Sequence, residues 1–172
     1  MNHANAPATV PHVELDRYLG TWYEIARLPM RHEPREYTDI TATYSLQPDG
    51  KVKVDNRARD AEGEVKQSVG EAEVVEGSGS AKLEVSFMPD GLKWVPFTKG
   101  DYWILRLDEG YRTALVGEPG RKYLWLLHRE PRMDPATRGE WLEFARTLGY
   151  DLGDVIFPAQ SGQVHREAEA AR

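Results

Sequence analysis

Gly20-Thr21-Trp22-Tyr23-Glu24-Ile25 is the stretch that decides the fold. It follows a short capped segment, Glu14 to Leu19, and opens a strand whose residues alternate. Strict alternation puts Trp22, Glu24, Ala26 and Leu28 on one face and Tyr23, Ile25 and Arg27 on the other. A large aromatic just behind a glycine suits a plug at the end of a β-barrel. Gly20 lets a second backbone approach, and Trp22 fills the space where strands converge. The reading needs a barrel around it.

Seven further strand signals run outward from this one. Ile40, Ala42, Tyr44 and Leu46 alternate up to Pro48-Asp49-Gly50, a hairpin turn signal. Val52, Val54, Asn56 and Ala58 then share a face, opposite Lys51, Lys53, Asp55 and Arg57. A weaker strand runs from Glu64 to Val75, where Gly70 suggests a bend or bulge. Gly77-Ser78-Gly79-Ser80 reads as a flexible turn rather than a phosphate loop. Leu83, Val85 and Phe87 form the inward side of a fifth strand, and Asp101–Leu107, Tyr111–Gly117 and Lys122–Arg129 complete the set. Eight antiparallel strands joined by short turns predict an all-β up-and-down sheet.

One helix comes late. Asp134 is a good N-cap, Pro135 suits the first helical position and Gly149 stands past the end. Trp141, Leu142, Phe144, Ala145 and Leu148 form an apolar stripe that should pack outside the sheet. A short strand at Val155–Phe157 is expected to follow. The expected organisation is a disordered segment over 1–12, one folded domain over 13–158 and a disordered tail over 159–172.

Composition narrows the function. The chain has 172 residues, 40% hydrophobic and 29% charged, in the range of one soluble globular domain. A net charge of -6 argues against nucleic acid, which needs a basic face. The 172 residues hold no cysteine, so disulfides, thiolate catalysis, Cys-ligated metals and a lipidated N-terminal cysteine are not expected. Met1 to Pro7 has neither a basic nor an apolar signal region, so the chain as given is expected in the cytoplasm. No metal or cofactor is expected.

A sheet that alternates this strongly can bury one face by rolling into a barrel, either filled with side chains or holding a small ligand. The inward candidates are Tyr44, Val54, Asn56, Leu83, Val85, Phe87, Trp125 and Leu127. Apolar walls with a few polar tips are the chemistry of small-molecule pockets. Alternation alone leaves a solid core open as the alternative.

Three stretches then carry a family resemblance: Gly20-Thr21-Trp22-Tyr23-Glu24-Ile25-Ala26-Arg27, Leu107 through Val116, and Tyr123-Leu124-Trp125-Leu126-Leu127-His128-Arg129. Ala42 to Leu46 and Ala81 to Phe87 add to it. From about Leu15 to Phe157 the sequence resembles the lipocalins, in the bacterial lipocalin and apolipoprotein D-like branch. The resemblance implies an eight-stranded calyx, open at one end, with a C-terminal helix against its wall. It implies that Arg129 packs across Trp22 at the closed end, with Gly20 and Tyr111 as further structural residues. It implies that Tyr44, Asn56, Trp125 and Leu127 line the cavity, and that residues 30–38, 60–64, 88–100 and 118–121 rim the mouth. Leu92, Trp94, Val95 and Phe97 are candidates for an apolar lip there, or for a plug folded back over the cavity. Many members of this branch carry a lipoprotein signal and anchor to the outer membrane; neither signal nor cysteine stands in this sequence.

The expected activity is non-catalytic binding of fatty acids or lysophospholipids, by a monomer or homodimer with transient membrane contact. A barrel enzyme would have to use Glu24, the one carboxylate with inward parity. No second group completes such a site, because His3, His12, His32, His128 and His165 fall in tails, loops or on outward positions. A third reading is a protein-interaction module acting through the aromatic rim.

Overall fold

The computed structural model describes residues 5–30, 33–87 and 98–162. A one-turn helix, α1 (Leu15–Tyr18), precedes β1 (Gly20–Arg27), β2 (Thr38–Leu46), β3 (Val52–Arg59), β4 (Val65–Val74) and β5 (Lys82–Phe87). Then come β6 (Thr98–Leu107), β7 (Thr113–Gly117), β8 (Trp125–His128) and the helix α2 (Pro135–Thr147). Each strand pairs antiparallel with the next, and β8 pairs back onto β1, closing an eight-stranded barrel. Closure leaves the sheet no free edge.

Two apolar clusters follow from the alternation. Trp22, Tyr44, Val54, Leu83, Ile104, Val116 and Leu127 pack inside the barrel. Tyr23, Ile25, Trp103, Leu105, Leu126, Trp141 and Ala145 pack between its outer wall and α2. The helix is anchored as its sequence demands. The Asp134 carboxylate accepts the Thr137 N–H at 3.1 Å, and Gly149 takes φ +97° after the last turn. Asp134→Ala should therefore cost about 1 kcal/mol, read as a lowered urea midpoint with an unchanged slope.

Several expectations are corrected. Strict alternation along β1 breaks at a bulge between Glu24 and Ala26. Beyond it, Ala26 and Leu28 join the outer cluster, while Arg27 turns to the face of Glu24. One extra residue in a strand reverses every later side chain. Gly70 marks neither bend nor bulge, because the β3–β4 register runs through it unshifted. It is a close approach instead: a Cβ there would stand 2.7 Å from Cδ1 of Phe87.

The described parts of the two tails, 5–12 and 159–162, include residues bonded to the barrel, contrary to the expectation from composition. Val10 N–H donates to the Ile104 carbonyl at 3.0 Å, Val13 N–H to Gly79 at 2.8 Å, and Val13 is buried. Polar, Pro-containing sequence hides this because the barrel's backbone supplies the partners. In place of a strand at Val155–Phe157, only Ile156 bridges to Arg27. Residues 159–161, assigned from sequence to the disordered tail, are bonded to the wall. Asp39 N–H donates to the Ala159 carbonyl, and Ser161 N–H donates to the Asp39 carboxylate. Gln160 bridges a gap where the β1–β2 ladder stops at Tyr23 and Thr41. Its Nε2 donates to the carbonyls of Glu24 and Ile40, each at 2.9 Å.

Candidate functional site

The closed end of the barrel is built on Trp22. Its indole is wholly buried, and Nε1 donates to the Tyr18 carbonyl at 2.9 Å. Arg129 lies 3.8 Å above the ring centroid. Its guanidinium donates to the carbonyls of Tyr111, Thr21, Arg17 and Tyr18, so one cation closes four backbone acceptors. Gly20, at φ +101°, leaves the room this needs, since a Cβ would stand 3.3 Å from Arg129 Nη1. Tyr111 accepts the Glu14 N–H on its hydroxyl, and its ring lies 4.1 Å beneath Arg17. All four positions serve to shut this end.

Above the plug lies a floor of three tyrosines, two of which the sequence reading missed. Tyr18 and Tyr102 share a 2.6 Å hydrogen bond, and Tyr102 donates to Tyr44 at 2.9 Å. Burial holds all three phenols well above their ordinary pKa, so they stay neutral. Three hydroxyl protons serve two bonds, and with Tyr102 donating to Tyr44 the unspent proton is that of Tyr44. Tyr102 was legible as an inward partner of Ile104 by parity, whereas Tyr18 precedes the sheet and carries no strand signal.

The inward candidates separate by depth. Tyr44, Val54, Leu83 and Val85, with Tyr18 and Tyr102, close around a void of about 10 Å³. That is about the least that admits one water. The lower lumen is therefore filled, and the solid alternative holds for that part. Leu127 is buried in the same cluster, with Phe87 and Trp125 packed partly buried against it. Asn56 is half-buried on the inward face of β3, and its amide has no hydrogen-bond partner among the described residues. Leu92, Trp94, Val95 and Phe97 lie outside the described residues, as do His3, His32 and His165. His12 is exposed, and His128 Nδ1 bonds Thr113 Oγ1 at 2.8 Å.

Nearer the mouth sits an ionic cluster that the bulge in β1 creates. Arg27 has a fully buried side chain, with Nη1 3.2 Å from Glu24 Oε2 and 3.6 Å from Glu33 Oε2. Its Nη2 donates to the carbonyls of Glu33 and Pro34, tying the β1–β2 connection to the barrel. Burial, reinforced by the Glu33 carboxylate, holds the Glu24 carboxyl well above the usual carboxylate range. A folded pKa raised above the unfolded value gives stability that is complete below about pH 4.3 and is lost as pH rises through the folded value. Glu24→Gln should flatten that decline, which urea midpoints between pH 4 and 8 would report. An unchanged slope would exclude Glu24 as its source.

A family model, the lipocalin-like domain, matches residues 13–160. The chain is a lipocalin. Outer membrane lipoprotein Blc of Escherichia coli (strain K12) is 40% identical over 154 residues, covering 89% of this chain and 82% of that protein. Temperature-induced lipocalin-1 of Arabidopsis thaliana is 39% identical over 158 residues, covering 87% and 80%. Insecticyanin from the tobacco hornworm Manduca sexta shares the fold at a TM-score of 0.69 and 19% identity, over 95% of this chain and 87% of that one. Lipocalins bind small hydrophobic ligands and are generally binding and transport proteins. In this lipocalin the lumen around Tyr18, Tyr44 and Tyr102 is filled down to a void of about 10 Å³.

Proposed function

We propose that this lipocalin holds a fatty acid or lysophospholipid in the upper lumen, bounded by Asn56, Phe87, Trp125 and Leu127 above the Tyr44–Tyr102 floor. One observation carries the reading: within apolar walls, the Asn56 amide and the Tyr44 hydroxyl have unspent hydrogen-bonding capacity. Asn56 is half-buried, so a ligand that brings an oxygen to its amide replaces water there and gains orientation and specificity more than affinity. An acyl chain supplies the rest. Burying about ten methylenes at ~0.8 kcal/mol each gives on the order of 8 kcal/mol before association costs. Glu24 is held by Arg27 in the tether of the β1–β2 connection, which argues for a structural carboxylate over a reacting one.

Native mass spectrometry of the protein purified from a bacterial host, followed by organic extraction, tests this. The expected result is one co-purified acyl lipid per chain, with Trp125→Ala and Asn56→Leu each weakening a fluorescent fatty-acid probe at least ~10-fold, about 1.4 kcal/mol. An empty protein that also fails to bind the probe overturns the reading.

A further inference from the structure

One guanidinium serves two carboxyls in the wall of the upper barrel. Arg27 stands at the end of β1 opposite the plug of Gly20 and Trp22, and its side chain is fully buried. It is the one cation within salt-bridge distance of Glu24 and Glu33 among the described residues. With both carboxyls ionised, the cluster keeps an uncompensated negative charge, which burial makes costly. Its described neighbours do not cancel that charge. Tyr44, from β2, is held neutral by burial, and the β8 partners of Glu24 and Arg27 are Leu127 and Trp125. Asp39, also on β2, is engaged by Ser161, and Gln160 brings an uncharged amide to the Glu24 carbonyl. A proton between Glu24 and Glu33 does cancel it, and the two carboxyls stand close enough to share one.

The two carboxyls are not equally fixed. Glu24 is on a strand paired to β8, and its side chain is 6% exposed. Glu33 lies in the connection between β1 and β2, with a side chain 16% exposed. Its Oε2 is buried without a hydrogen bond, 3.6 Å from Arg27 Nη1. An ionised Glu33 therefore gains water by turning outward, whereas Glu24 keeps Arg27. We propose that Glu24 and Glu33 are a proton-operated latch at the barrel mouth: the shared proton holds Glu33 in the wall, and its loss sends Glu33 into water and loosens the connection there. What Arg27 then retains of the connection is its Nη2 grip on the carbonyls of Glu33 and Pro34. Resting on the reading of the calyx as a lipid site, the latch sets the rate of lipid exchange, slow when protonated and fast when ionised. Burial raises the Glu24 pKa in the folded state, so the latch opens as pH rises through that value.

Carbon-13 NMR of the glutamate carboxyls in the full-length protein, followed from about pH 4 to 9, reads the latch directly. The expected result is one transition shared by Glu24 and Glu33, above the ordinary carboxylate range. Its slope should be that of a single proton, about tenfold in population per pH unit. The backbone amides of Glu33 and Arg35 should move with the same midpoint. Release of a fluorescent lysophosphatidylcholine, whose charge is constant over this range, should speed up on the order of 10-fold through that midpoint. E24Q and E33Q each leave one carboxyl for one cation, so either should abolish the amide shift and the change in release rate. H32Q should keep both. Carboxyls that titrate at about pH 4.3, the ordinary value, overturn the latch. So does pH-dependent release that survives E24Q and E33Q, or release that ignores the carboxyl transition. Loss of the transition in H32Q would assign it to the imidazole and likewise overturns it. A protein that binds no lysophospholipid at any pH defeats the lipid reading instead, and the shared carboxyl and amide transition then decides the latch by itself.

Discussion

Replacing Trp22 with alanine should destabilise the protein by about 3–5 kcal/mol, the usual cost of removing a fully buried aromatic. At about 2–4 °C per kcal/mol for a chain of this size, the melting temperature should fall by roughly 6–20 °C. The loss has three physical parts. The indole's volume is left as a cavity at a closed end that cannot collapse, because the barrel's register holds the strands apart. The Tyr18 carbonyl loses the indole N–H, and Arg129 loses the face it covers at 3.8 Å. Trp22→Phe should recover most of the packing but not the hydrogen bond. A double-mutant cycle with Arg129→Met should show a coupling of roughly 0.5–2 kcal/mol. Thermal and urea unfolding would measure all of these. A Trp22→Ala protein within about 1 kcal/mol of the parent would falsify the plug as a source of stability.

Arg27→Met is the second large effect. It keeps the apolar stem and removes the only cation within salt-bridge distance of Glu24 among the described residues. Removing one member of a buried ionic group costs about 3–5 kcal/mol, because the partner is left desolvated and unpaired. Here the carbonyls of Glu33 and Pro34 also lose their donor, so the β1–β2 connection is released from the barrel. The effect has a pH signature. Arg27 is one of the groups holding the Glu24 pKa down against burial and Glu33. Without it the Glu24 carboxyl protonates more readily, and the destabilisation should be smaller at pH 5 than at pH 8. Glu24→Gln and Glu33→Gln, added to Arg27→Met, should restore much of the loss at pH 8. If the single substitution were equally damaging at both pH values, the charge argument would be wrong and lost packing would be the cause.

The barrel and its outer helix were legible because both rest on short-range regularities. Alternation of two along the strands and an Asp-Pro helix start leave marks in the order of residues. Trp22 over Arg129 was legible only through resemblance, since 107 residues separate the pair and nothing local joins them. Tyr44 and Asn56 were identifiable by parity, but that the space beneath Tyr44 is full could not be read, because alternation specifies direction and not volume.

The sequence by itself determined the class of fold, the strand order, the inward face of most strands and the capped helix. Tertiary structure alone decided the rest. The bulge in β1 moved Arg27 onto the Glu24 face, because a strand's phase depends on how its partners pair with it. Tyr18, from a one-turn helix, entered the floor because barrel closure brought α1 under β6. Gln160, which composition assigned to a disordered tail, became the bridge between β1 and β2 because the β1–β2 ladder stops at Tyr23 and Thr41 and its Nε2 reaches a carbonyl on each strand beyond that point. Local patterns fix which way a residue faces. Hydrogen-bond satisfaction across distant segments fixes what it meets there.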